Sequence, residues 1–278
     1  MTVLSDGTNG RSRTGGGNAR GPLAAVAGLP GVAEAVREAR EAVDRLYRHR
    51  VLRRRSPEVS AESVLRGARA SAALEGVDNP LESVRRGEAT DPVTQGALRA
   101  LAEAARLGRT WRSAPRQVLA RLHTVAAVGL ADEPELGRPR QGPADADPLG
   151  LGPAPSAEVA AARVEALSRL VTAGDDAPAL VLGAIVHAEL VVLRPFGVAD
   201  GLVARAAERL TYTEFGLDPK SLVAVEVGHV ELGDAYARNL RGYLSGTPEG
   251  VASWIRHCAS AVVLGAREAT AVCEAMSR

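Results

Sequence analysis

The stretch His187-Ala188-Glu189-Leu190-Val191-Val192-Leu193-Arg194-Pro195-Phe196-Gly197-Val198-Ala199-Asp200-Gly201-Leu202-Val203-Ala204-Arg205 decides how the chain folds. An apolar helix runs into Arg194. Pro195 cannot continue it, Gly197 supplies a turn, and a second helix opens near Asp200 and Gly201. Such a turn aims the free amides of the second helix at whatever lies in front of it. Arg205, about one turn in, adds a fixed positive charge. The residues alone leave two readings open: an anion site, or a helical elbow in which Asp200 caps the second helix and Phe196 packs into the core.

Helical patterns extend in both directions from this elbow. Upstream, Val32, Ala33, Val36, Ala39, Val43 and Leu46 recur at helical spacing, with Glu34, Glu38 and Glu41 interleaved with Arg37, Arg40 and Arg45. The basic run Arg48, His49, Arg50, Arg53, Arg54 and Arg55 then reads as a solvated helix end. Ser56-Pro57-Glu58 and Ser60 predict a helix start, with that helix reaching Glu75 before Gly76 and Pro80. Further helices are predicted over 92–107, 114–128, 156–172, 177–193, 201–214, 233–244 and 250–276. Residues 132–155, dense in Pro, Gly and Asp, are expected to form a functional loop or a short β-hairpin. The best strand signal is 222–227. Residues 1–22, rich in Gly, Ser, Asn and Arg, have little to bury and are expected to be a disordered tail, leaving 23–278 as one domain.

Composition bounds the function. The 278 residues are 46% hydrophobic but only 3% aromatic, which favours helices packed through Ala, Leu and Val over a sandwich or barrel. The basic side is 33 arginines and one lysine, Lys220, and the net charge is +1. So balanced a chain is not a dedicated nucleic-acid binder. The arginine excess reads mainly as coding bias. Cys258 and Cys273 match no zinc or disulfide framework and suggest a reducing, cytoplasmic setting. No run is long enough for a membrane span, residues 1–22 lack the apolar core of a signal peptide, and nothing specifies an oligomer.

Laid without a gap over residues 194–205, the motif H-P-F-x-[D/E]-G-N-G-R-x-x-R of the Fic family matches at Pro195, Phe196, Gly201 and Arg205. Three other places resemble that family in the right order. Ser71-Ala-Ala-Leu-Glu75-Gly76 is similar to its inhibitory-helix motif, and Gly137-Arg138-Pro139-Arg140 to the stretch leading into its flap. Tyr236, Tyr243 and Trp254-Ile255 are similar to positions that follow the motif. The resemblance implies an all-α, Fic-like helical bundle with a short β-hairpin flap, residues 23–80 forming N-terminal helices that include the inhibitory one. It also implies an ion pair between Glu75 and Arg205 that obstructs a nucleotide's γ-phosphate.

The departures fall on the chemistry. In Fic enzymes the motif histidine accepts the proton of the hydroxyl that receives AMP from ATP; here that position is Arg194, which stays protonated. The acidic position that holds Mg²⁺ is Val198, which offers no ligand atom, so magnesium binding of the usual kind is not expected. The asparagine is replaced by Asp200 and the first motif arginine by Leu202. His187 reads as a core histidine. The expected protein is a degenerate Fic-fold member without ordinary AMP transfer. Its cleft, formed by Arg194, Gly197, Asp200, Gly201 and Arg205, takes an ATP-like nucleotide, another phosphorylated small ligand or a protein partner. The alternative is a Fic-type transferase acting on protein with another phosphate-containing donor or a base other than histidine.

Overall fold

The computed structural model describes residues 21–144, 146–174 and 177–277. In chain order its helices are α1 (Pro22–Ala27), α2 (Val32–Tyr47), α3 (Leu52–Leu74), α4 (Leu81–Arg85), α5 (Pro92–Ala104), α6 (Gly108–Ser113), α7 (Pro115–Ala126), α8 (Ala157–Ala173), α9 (Ala179–Leu193), α10 (Asp200–Glu214), α11 (Val225–Glu231), α12 (Ala235–Leu244) and α13 (Pro248–Ala275). A 3₁₀ turn covers Glu133–Glu135. The architecture is all-α, as expected.

α9 lies at the centre because it has no polar face. All fifteen of its residues are buried, and the only polar ones are His187 and Glu189. A helix apolar on every side must be wrapped by others, and α9 packs against α10, α8 and α13. The amphipathic α2 lays Ala39, Val43 and Leu46 on α13. α3 packs against α5 and α11. One continuous apolar core runs from Leu23 to Cys273 and includes Trp111, Trp254 and Leu190. Small residues let the axes approach: a Cβ added at Gly228 on α11 would stand 2.1 Å from the carbonyl oxygen of Ala261 on α13.

Several boundaries differ from the sequence pattern. The predicted 92–107 helix ends at Ala104, and Gly108 opens a separate short helix that buries Trp111. α3 starts at Leu52, ahead of Ser56-Pro57, but is kinked at Arg55 (φ −122°, ψ 25°), so the capping signal marks where the straight part begins. The 222–227 strand is not formed. Its first residues are an extended link held by the Val223 amide donating to Asp218 (2.8 Å), and from Val225 the chain is α11. The β-hairpin flap is corrected likewise: no strand occurs among the described residues, and only an isolated bridge joins Val128 to Ala131. Pro139, Pro143, Pro148, Pro153 and Pro155 remove the amides a ladder needs. Asp147 instead pins the loop by accepting from the amides of Leu151 (2.9 Å) and Gly152 (2.8 Å). The predicted tail, 1–22, lies outside the described residues up to position 20, and α1 has already begun at its end.

Candidate functional site

The elbow between α9 and α10 is strained. Arg194 (φ 45°, ψ 58°) and Ala199 (φ 57°) are left-handed without being glycine, and Gly197 (φ 84°) shares that region. Each such non-glycine residue costs on the order of 1–2 kcal/mol, which neighbouring contacts must offset. Arg140 supplies many of them. Its amide donates to Pro195 O (2.9 Å), and its guanidinium donates to Arg194 O (2.7 Å), Pro155 O (2.6 Å) and Leu193 O (3.2 Å). A cation on the last carbonyls of α9 also complements that helix's negative end. Gly137 sits against α7, its amide donating to His123 Nδ1 at 2.9 Å. The His123 ring stacks on Phe196 (4.2 Å between centroids, 6° between planes), and Phe196 is half-buried against the core.

Asp200 does not cap α10. Ala199 occupies the cap position, and Asp200 Oδ1 reaches back to accept from the Phe196 amide at 3.0 Å. The carboxyl is 5% exposed and its Oδ2 has no hydrogen-bond partner among the described residues. Burial pushes its pKa up to about 8, with Glu75 adding to the rise and the Phe196 and Gly197 amides and Arg140 opposing it.

Ser71, Glu75 and Arg205 are brought together. Arg205 is fully buried and donates through Nε to Ser71 Oγ (2.8 Å), through Nη2 to Ser71 O (3.0 Å) and Glu75 Oε1 (2.6 Å), and through Nη1 to the Tyr236 hydroxyl (3.3 Å). Glu75 caps the C-terminal end of α3 and Gly76 (φ 88°) turns the chain away. The approach requires Gly201: a Cβ there would lie 2.0 Å from Glu75 Oε1. The protein's own carboxylate thus occupies the positive start of α10.

Arg194 points elsewhere. Its guanidinium donates to the carbonyls of Ala146 (2.8 Å) and Gly152 and lies 3.6 Å from Asp147 Oδ1, fastening the 146–152 loop; its Nε is buried without a partner. Between this loop, the elbow and α5 opens a cleft of about 460 Å³. Arg194, Gly197, Val198, Asp200 and Gly201 line it together with Glu75 and Asp147, whereas Arg205 stands behind Gly201 and does not. The remaining wall is aliphatic: Val93, Leu130, Leu149, Leu151, Val191 and Leu202.

Behind Arg205 a buried polar chain runs inward. The Tyr236 hydroxyl meets His187 Nε2 (2.7 Å), and His187 Nδ1 meets Glu208 Oε2 (2.7 Å). Glu208 Oε2 also meets His229 Nε2 (3.0 Å), and Tyr212 donates to Glu208 Oε1 (2.7 Å). Burial raises the Glu208 pKa, but the two imidazoles and their hydrogen bonds outweigh it and hold the carboxylate ionised. Burial pushes His187 down to about 4, so it is a neutral core residue. His187, Glu208 and His229 have their ligand atoms within 4.8 Å of one another, the grouping among the described residues able to take a metal ion, yet these atoms already satisfy one another. Glu208, Arg209, Tyr212 and His229 were not singled out from the sequence. The available signal was the spacing of Arg205, Glu208, Arg209 and Tyr212, polar residues at helical spacing interleaved with Ala204, Ala206, Ala207 and Leu210.

No family sequence model matches the chain, and no curated protein sequence matches it. Solved structures do. A crystal structure of a Fic family protein from Desulfovibrio desulfuricans G20 superposes with a TM-score of 0.72 at 22% identity over 87% of this chain and 75% of that one. A fragment of Fic-1 from C. elegans gives 0.64 at 17% identity over 88% and 73%. A point variant of that fragment gives 0.60 at 15% identity. The fold is therefore the Fic fold. Within it, Arg194 stands at the end of α9 and Arg205 on α10 is bound by Glu75.

Proposed function

We propose that this protein is a Fic-fold binding protein without ordinary AMP-transfer activity, its cleft restrained by the Glu75–Arg205 pair. The observation that carries the reading is Arg194. It stands where the fold's enzymes keep their general base, cannot accept a proton, and spends its guanidinium on the carbonyls of Ala146 and Gly152. Two features support it: Val198 and Leu202 line the cleft where a metal-binding acid and a phosphate-binding arginine would be needed. A phosphorylated ligand would also need Arg205, which is engaged by Ser71, Glu75 and Tyr236.

The test is to remove the restraint. Glu75→Gly protein, shown to be folded by circular dichroism, is incubated with ATP and magnesium, alone and with cell lysate. Intact-mass analysis is expected to find no AMP adduct; an adduct on this protein or on any lysate protein overturns the reading. One observation favours a second reading, a transferase with another base: Asp200, a buried carboxyl in the cleft with a pKa near neutrality. It predicts a mass adduct with some phosphate-containing donor that disappears in Asp200→Asn.

A further inference from the structure

The run Arg45-Leu46-Tyr47-Arg48-His49-Arg50-Val51-Leu52-Arg53-Arg54-Arg55 puts six arginines and no carboxylate into eleven residues, and it forms the corner where α2 turns into α3. All six arginines are exposed. Among the described residues only Arg55 of the six meets a carboxylate, that of Glu58 at 3.6 Å. Arg45 and Arg48 close α2, where a cation suits the negative end of the helix. Arg53, Arg54 and Arg55 have no such role. They occupy the opening turn of α3, its positive end, and no acidic residue stands there with them. Cations gathered against a helix dipole cost the fold a little rather than stabilise it, which leaves their charge for an outside partner.

Arg53 and Arg54 also line a groove of about 450 Å³ together with Ser56, Ser60 and Lys220, the one lysine of the chain, whose ammonium lies 5.9 Å from the centre of the Tyr47 ring. Every charged group on this groove is a cation. A groove of similar size between α2 and α13 mixes the signs, with Glu34 and Glu38 beside Arg256. The basic corner is also sharply bounded: Asp44 precedes it on α2, Glu58 follows it on α3, and because the whole chain carries only +1, the remainder is net negative. A long polyanion or a charged lipid surface would reach past the corner onto that remainder and be repelled, whereas a short anionic segment would not. Guanidinium groups pair with carboxylates through two parallel hydrogen bonds. We propose that the α2–α3 corner docks a short segment of a partner protein rich in Asp and Glu. The corner shares no residue with the cleft, so this assignment stands whether or not the cleft binds a ligand.

Fluorescently labelled hexaglutamate is titrated with the full-length protein and followed by anisotropy at low salt, about 25 mM NaCl. Binding is expected, and it should weaken about tenfold or more when NaCl is raised to about 250 mM, as contacts between exposed charges do. Arg53→Glu/Arg54→Glu, shown to be folded by circular dichroism, should lose at least about tenfold in affinity. Arg109→Glu/Arg138→Glu changes the net charge equally at two exposed arginines outside the corner and should stay within about twofold of wild type. Three results overturn the assignment: no binding of hexaglutamate at low salt, an equal loss in the two double variants, or tighter binding, at the same salt, of a DNA duplex of about twenty base pairs or of phosphatidylserine vesicles. None of these outcomes bears on AMP transfer, so failure here leaves the reading of the cleft where it stands.

Discussion

At the scale of single residues, the energetics concentrate on two carboxyls. Glu75 is the counter-charge of a guanidinium with no solvent contact. Removing one side of a fully buried pair costs roughly 3–5 kcal/mol, and because the Glu75 side chain keeps 16% exposure, Glu75→Ala should cost somewhat less, about 2–3 kcal/mol. Glu75→Gln, which retains an acceptor for Nη2, should lose less than the alanine. Urea midpoints of the three proteins check this order. Asp200 acts with the opposite sign. Its folded pKa is raised to about 8, above an unfolded value near 3.9, so the folded state holds a proton that the unfolded chain releases. Its contribution is full below the unfolded value and is lost as pH rises through the folded one. Buried His187 and His257, both pushed down by burial, act only below about pH 6.5. Between pH 7 and pH 8 the wild type should therefore lose up to about 1.4 kcal/mol per pH unit relative to Asp200→Asn, read from urea melts at each pH.

Among the elements, α9 and α11 carry the most sharply testable packing. Leu190 is fully buried at the centre of α9, in a core wrapped on all sides. Leu190→Ala should destabilise by about 2–5 kcal/mol, the range set by how far such a cavity can collapse. Gly228→Ala weighs two effects against each other. Alanine gains about 1 kcal/mol of helix propensity, but its methyl would meet the Ala261 backbone, which cannot swing aside as a side chain can. The overlap wins, and a net loss on the order of 1–2 kcal/mol is expected in a thermal melt. The helices were legible from periodicity: α8 opens just after the predicted start at 156, with Ser156 accepting from the Val159 amide, whereas α13 starts two residues ahead of the predicted 250, capped by Thr247 accepting from the Gly250 amide. The 132–155 loop was not, because a Pro-rich segment carries no periodicity and its shape is set by contacts with the distant elbow, where the Arg140 amide donates to Pro195 O and Arg194 donates to Ala146 O.

For the whole molecule, electrostatics divide by depth. Most of the ion pairs among the described residues lie at the surface, as between Arg37 and Glu34 and between Arg256 and Glu249. Such pairs contribute little and are screened by salt. The Arg205–Glu75 and Arg209–Glu226 pairs are enclosed. Raising NaCl from 0.1 to 1 M should therefore change the unfolding free energy by less than about 1 kcal/mol, whereas a stability resting on surface pairs would fall steeply; urea melts at the two salt concentrations decide. The sequence by itself determined the helical class, the elbow at Arg194–Asp200 and a guanidinium at position 194. These follow from local properties: periodicity, the proline ring, and the chemistry of a guanidinium. Only the tertiary structure decided that Arg194 turns to the 146–152 loop, that Asp200 reaches back to Phe196 and is left half-satisfied in an aliphatic cleft, and that Glu208 gathers two histidines. Hydrogen-bond partners far apart in the chain are chosen by packing, and burial, which sets whether a carboxyl keeps its proton, belongs to the fold as a whole.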